Sequence, residues 1–154
     1  ASCHAIASAC SVIKGLNTAI TAFNGNYRGD VGLVYPLLKY GQPIHARTNL
    51  MPSGGTPLAP ALWWVMQQLL FAKERRKMLF ILTDGQPTDI TATRKALKMA
   101  HKIGLEVYGL GILDDSINNI LPDVSRVIYQ LEELPAMLFE LLYDVLTRKN
   151  GSCL

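Results

Sequence analysis

Two short loops in this chain carry residue types suited to holding a hard cation. The first is Ser53-Gly54-Gly55-Thr56-Pro57, which opens onto a helical pattern. The second is Thr83-Asp84-Gly85-Gln86-Pro87-Thr88-Asp89, which follows the most apolar run of the sequence. Together they offer one hydroxyl, on Thr56, and one or two carboxylates, on Asp84 and Asp89. Oxygen donors of this kind suit Mg²⁺ or Mn²⁺. Gly54, Gly55 and Gly85 allow the backbone to turn sharply and approach an ion's water shell, with Ser53 at the border. Each residue also has a plain structural use. Thr56 before Pro57 fits a helix N-cap followed by proline in the first turn. Asp84-Gly85 fits a strand-ending turn, and Asp89 fits the cap of the next helix. The conjunction of the two loops carries the metal reading.

The elements that must position these loops follow from periodicity. Ala1 to Gly15 has apolar Ile6, Ala9, Cys10 and Ile13 on a helical period. Thr18–Phe23 alternates and is β-branched, predicting a strand closed by Asn24-Gly25-Asn26. Val31–Tyr40 predicts another, placed at an edge by Pro36. A long loop, 41–57, leads to a helix with Leu58, Leu62, Val65, Leu69 and Leu70 on one stripe. Trp63 and Trp64 lie about 100° apart on it, so one is expected to pack inward and the other to sit near a rim. Met78–Thr83 is continuously apolar, as in a strand buried on both faces of a parallel sheet. Thr91–Ile103 is an amphipathic helix closed by Gly104. Glu106–Ile112 is a second buried strand, Arg126–Tyr129 a short last one. Leu134–Leu146 is a terminal helix with Leu138, Leu141, Leu142 and Val145 inward. Residues 1–147 are read as one domain and 148–154 as a frayed tail. This alternation predicts an α/β, Rossmann-like, mainly parallel sheet with helices on both faces. Ligands of such sheets bind beyond the carboxyl ends of the strands, where both loops fall.

Composition narrows the function classes. The 154 residues are 49% apolar and 18% charged, which is globular composition. A net charge of +3 is too small for a nucleic-acid binder. The densest basic run, Lys73-Glu74-Arg75-Arg76-Lys77, reads as a solvated helix-to-strand connection. Three cysteines, Cys3, Cys10 and Cys153, cannot all pair within one chain, and they show no framework spacing. The expectation is a reduced, cytoplasmic protein, with no membrane-spanning run. Cys3, His4 and Cys10 lack a fourth nearby ligand for zinc.

The order Gly-Gly-Thr-Pro, helix, apolar strand ending Leu-Thr-Asp-Gly, then Val-Tyr-Gly-Leu-Gly-Ile resembles the von Willebrand factor A (vWA) family over nearly the whole chain. More narrowly, PSGGTPLAPALWWVMQQLL, ILTDGQPTD and ELPAMLFELL resemble the CobT-type subunit of cobaltochelatase and its bacterial and phage relatives. The resemblance implies a metal-ion-dependent adhesion site (MIDAS) in which Thr56 and Asp84 match two ligands. It also implies a protein partner whose acidic side chain completes the shell, in CobT-like systems a MoxR/CobS-like AAA+ ATPase. The family's Asp-x-Ser-x-Ser motif, at the end of its first strand, does not occur in this sequence. Ala1–Gly15 matches the helix that follows that motif. The resemblance therefore implies a gap between the Thr18 and Met78 strands, and weak or no metal binding by this chain alone.

Two other functions compete. A nucleotide-binding Rossmann-like enzyme lacks a Gly-x-Gly-x-x-Gly or phosphate-cradling lysine loop, since Gly109-Leu110-Gly111 has no third glycine. His4, His45 and His101 have no nucleophile at motif spacing. A structural protein that forms homo-oligomers through the open sheet is the third reading.

Overall fold

The computed structural model describes residues 7–8, 10–11, 13–25, 32–43 and 54–147. Ala7, Ser8, Cys10 and Ser11 are helical, and Ala7 and Cys10 are buried. Most of the helix expected over 1–15, Asn26, the loop around Ser53 and the 148–154 tail lie outside the described residues, while Asn24 and Gly25, expected in a turn, pair with Leu33 and Gly32 and so continue the first strand.

Five strands form two sheets. β1 (Ile20–Gly25) and β2 (Gly32–Leu38) make an antiparallel pair. β3 (Met78–Thr83), β4 (Glu106–Ile112) and β5 (Ser125–Ile128) make a parallel sheet in that order. Pro36 sits on β2, which pairs only with β1 among the described residues, so its missing N–H costs no central ladder bond. The crossover between β3 and β4 is helix α2 (Ile90–Lys102). A 3₁₀ turn, Ser116–Asn119, lies between β4 and β5.

Helices cover both faces of the parallel sheet. α1 (Leu58–Leu70) and α2 pack on one face, joining Leu62, Met66, Leu69, Ala96 and Leu97 to Ile81 and Val107. α3 (Leu134–Thr147) covers the other face, setting Leu138 against Leu110 and Ile128, and Leu141 and Val145 against Tyr108. The alternation of β3 serves both: Leu79 and Ile81 face α1 and α2, while Met78, Phe80 and Leu82 face α3. Phe80 stacks on Tyr108 with ring centroids 5.5 Å apart.

Several expectations need correction. The α1 stripe is buried at Leu58, Leu62 and Leu69, but Met66 replaces Val65 as its buried member and Leu70 points to solvent. Neither tryptophan is buried: Trp63 is exposed and Trp64 half-buried. On α3, Leu142 is half-buried. Burial on both faces holds for β4, whose five central residues are all buried. It fails for β3, where only Ile81 and Thr83 are. β4 has a strand on each side, whereas β3 pairs only with β4 among the described residues.

The basic connection is not uniformly solvated either. Arg76 turns inward, donating from Nε to Glu106 Oε1 at 2.7 Å and from Nη2 to Glu106 Oε2 at 2.9 Å. Nη2 also donates to the Val145 carbonyl at 2.7 Å, satisfying an acceptor in the last turn of α3. The hydrogen bond from Arg76, and then that from Tyr108 Oη at 2.9 Å, hold the Glu106 carboxyl below its ordinary pKa against the opposing effect of burial. A carboxyl lowered in the folded state stabilises the fold fully above its unfolded pKa, and that stabilisation drains as pH falls through the lower folded value. Chemical unfolding of the wild type should therefore become easier from about pH 5 downward. A Glu106→Gln chain, already missing the contribution, should show a shallower decline over the same window.

Candidate metal-binding edge

The carboxyl ends of β1 and β3 meet the first loop at one edge of the molecule. At β1, the Gly25 N–H donates to the Gly55 carbonyl at 2.9 Å. A Cβ on Gly25 would lie 2.6 Å from Gly55 N, and one on Gly55 would lie 2.7 Å from Thr88 Oγ1. This close backbone approach is what the paired glycines permit. At β3, the Thr88 N–H donates to the Thr56 carbonyl at 3.0 Å, joining the second loop to the first. Thr56 Oγ1 sits 3.6 Å from where a Cβ on Gly85 would stand, so the Thr56 hydroxyl faces the turn that carries Asp84.

Thr56 does not cap α1. The N-cap position belongs to Pro57, with no side-chain cap, and the helix begins at Leu58. The Thr56 carbonyl accepts from Leu58 N at 2.8 Å, while its hydroxyl makes no hydrogen bond among the described residues. The structural use expected for that hydroxyl is therefore absent. Asp84 is exposed and forms no ion pair among the described residues. Its turn is held from below by Thr83, which is buried at the end of β3. Thr83 Oγ1 donates to the Gly85 carbonyl at 2.9 Å and accepts from Gly85 N at 3.3 Å. Thr83 and Thr88 are positioning residues that motif reading passed over. For Thr83 a hydroxyl beside a glycine turn is the available signal, whereas Thr88 acts through its backbone N–H, which its residue type does not announce.

Asp89 resolves to the plainer of its two readings. It is the N-cap of α2, with Oδ1 accepting from Ala92 N at 2.8 Å. Gly54 is exposed, with a left-handed φ of +69°, and Ser53 lies outside the described residues. Gly109 and Gly111 are buried inside β4, where Ile117 packs against the space a side chain would need. They make room for the core and do not form a phosphate loop. His101 is exposed in the last turn of α2.

Thr56 and Asp84 bring one hydroxyl and one carboxylate to this edge, hard oxygens of a type that suits Mg²⁺ or Mn²⁺. Among the described residues, no three His, Cys, Asp or Glu side chains converge as a metal-ligand group. No helix of the described residues is long and apolar enough to cross a membrane.

This α/β architecture, a parallel sheet with helices on both faces, is vWA-like, and solved structures share the fold. The chain is similar to the pilus adhesin SpaC from Lactobacillus rhamnosus GG, with a TM-score of 0.71 and 16% identity. That match covers 94% of this chain and 26% of the adhesin. It is also similar to the manganese-loaded TRAP protein of Plasmodium vivax, with a TM-score of 0.62 and 14% identity, over 82% of this chain and 57% of that one. The chain thus spans less than two thirds of either solved chain. No family model matches it, and no curated protein does.

Proposed function

We propose that this chain is a metal-dependent protein-interaction module of the vWA type and has no catalytic site of its own. One observation carries the reading. The Gly55-Thr56 turn and the Asp84 turn are bolted together at the carboxyl edge, with the Thr56 hydroxyl free of any capping duty. A manganese-loaded protein among the solved relatives is in keeping with a divalent ion at this edge.

The remaining ligands would come from a strand outside residues 1–154 that carries Asp-x-Ser-x-Ser and lies between β1 and β3. Three features favour it. The 54–57 turn is tied to the ends of both strands, neither strand has a partner on its other side among the described residues, and β3 is less buried than its composition warrants. Strand edges without a neighbouring strand are prone to association. In the completed domain, Thr56 and Asp84 would hold Mg²⁺ or Mn²⁺, which would in turn accept a carboxylate from the partner. The resemblance to CobT-type subunits, carried by PSGGTPLAPALWWVMQQLL and ILTDGQPTD, points to a MoxR/CobS-like AAA+ ATPase as that partner.

The test is a pull-down by the completed domain of a purified MoxR/CobS-like ATPase in the presence of Mg²⁺. Capture is expected to fall about tenfold or more with EDTA or with Asp84→Ala, in line with losing a charged, desolvated contact. Capture indifferent to both would overturn the metal-edge reading.

A further inference from the structure

We propose that the carboxyl ends of β4 and β5 form a docking surface for a basic partner segment, one that sets apolar side chains between lysines or arginines. The surface starts at a strained residue. Leu113 follows β4 with φ of +59°, and no other non-glycine residue has positive φ among the described residues. Glycine adopts that backbone at less cost, so a large apolar residue there is an outlier that calls for a reason. The turn itself is imposed by its surroundings. The chain folds back so tightly that the Asp114 carbonyl oxygen fills the place of a Gly111 Cβ, while the Leu113 N–H is fixed on the Ile128 carbonyl at 2.8 Å. This turn uses the backbone of Leu113 and leaves its side chain 57% exposed.

The parallel register carries the surface along one edge. Thr83 pairs with Gly111 and Ile112 with Ile128, so the Asp84-Gly85 turn, Leu113 and Tyr129 follow one another across the ends of three adjacent strands. Tyr129 is 68% exposed and Leu131, just beyond it, 57%. Exposed apolar residues scattered singly need no explanation, whereas a group rimmed by charge marks an interaction site. The charge is of one sign and selects the occupant. Asp84, Asp115, Glu132 and Glu133 are exposed, Glu133 accepts from the Tyr129 N–H at 3.4 Å, and none of the four forms an ion pair among the described residues. Residues 84–89, 113–119 and 129–133 contain no lysine or arginine. Arg94 is turned to the Asn119 carbonyl at 3.0 Å, and Arg126 lines a hollow with Asp123 and Asp144 on the α3 side. Apolar side chains spaced by lysines match both the apolar centre and the acidic rim. The inference goes beyond the metal reading and does not need the ion. A single ligating carboxylate in an otherwise basic segment is compatible with both, because the surface adjoins the Asp84 turn.

The test is a metal-free NMR titration of the isotope-labelled chain, residues 1–154, with the blocked peptide Lys-Leu-Lys-Leu-Lys at low salt. Backbone amide shifts are expected to centre on Leu113, Tyr129 and Leu131, with a dissociation constant of about millimolar or tighter. Lys-Ser-Lys-Ser-Lys should bind about tenfold or more weakly, having lost its apolar contacts. Glu-Leu-Glu-Leu-Glu should leave the spectrum unchanged, because like charges oppose. Leu113→Gly keeps the turn, since glycine takes positive φ freely, and should weaken binding of the leucine peptide about threefold or more. Asp115→Lys with Glu132→Lys, both at exposed positions, should do the same by removing the acidic rim. Absence of shifts at Leu113 and Tyr129 would overturn the proposal. So would equal binding of the serine peptide, which would reduce the surface to a diffuse acidic field, or full affinity in Leu113→Gly. With no ion in the titration, each of these outcomes leaves the metal reading standing.

Discussion

Gly111→Ala is expected to destabilise the fold by about 3 kcal/mol, the upper part of the range for overpacking a filled core. The added methyl would fall on the carbonyl oxygen of Asp114 and within 2.9 Å of Ile117 Cγ2. Neither neighbour is free to give. Leu113 N donates to the Ile128 carbonyl at 2.8 Å, and Asp114 Oδ1 accepts from Ser116 N at 2.9 Å, so the segment after β4 is tied at both sides. Ile117 is fully buried against the α1–α2 core. A loss of this size lowers the melting temperature of a domain of this length by about 6–12 °C. Gly104→Ala is the matched control. Gly104 has φ +77° with open space around the missing Cβ, so alanine there pays only for left-handed backbone, about 1 kcal/mol. Thermal unfolding of the two variants separates them. Equal losses would mean that the tight contact beneath Gly111 does not govern the cost.

That contact also marks where sequence reading stops. The parallel sheet was legible because Met78–Thr83 and Glu106–Ile112 are apolar, short and separated by an amphipathic segment closed with Gly104. Those are local patterns. The two candidate loops were legible for the same reason, since a strand-ending Asp-Gly and a Gly-Gly-Thr-Pro before a helix each announce an edge position. What stayed hidden depends on partners distant in sequence. Arg76 looked like one of several solvated cations until Glu106, thirty residues on, was seen to fork onto its guanidinium. Thr56 looked like a cap because a threonine before proline usually can be one. Pro57 itself takes the cap position, with ψ of 64°, and the Thr88 N–H claims the Thr56 carbonyl from across the loop. The incomplete burial of β3 is of the same kind: composition says what a strand could bury, and neighbours decide what it does.

The second large effect concerns metal affinity, and its direction follows from counting donors. In titration calorimetry, residues 1–154 are expected to bind Mg²⁺ or Mn²⁺ no more tightly than about millimolar, because two protein oxygens leave most of the shell to water. Extending the chain at Ala1 with a strand ending in Asp-x-Ser-x-Ser should tighten binding by about a hundredfold or more, since ligand count and charge set affinity at such sites. Thr56→Val, which keeps the shape and removes the hydroxyl, should give back much of that gain, and Asp84→Ala nearly all of it. Asp89→Ala should act differently: it removes the α2 cap at a cost of about 1 kcal/mol in stability and leaves the ion affinity of the extended chain unchanged. The order of these three variants distinguishes an ion cradle at Thr56 and Asp84 from a merely acidic edge, in which either aspartate would serve. Micromolar binding by residues 1–154 alone would show that the donors already suffice, and the proposed strand between β1 and β3 would lose its chemical purpose.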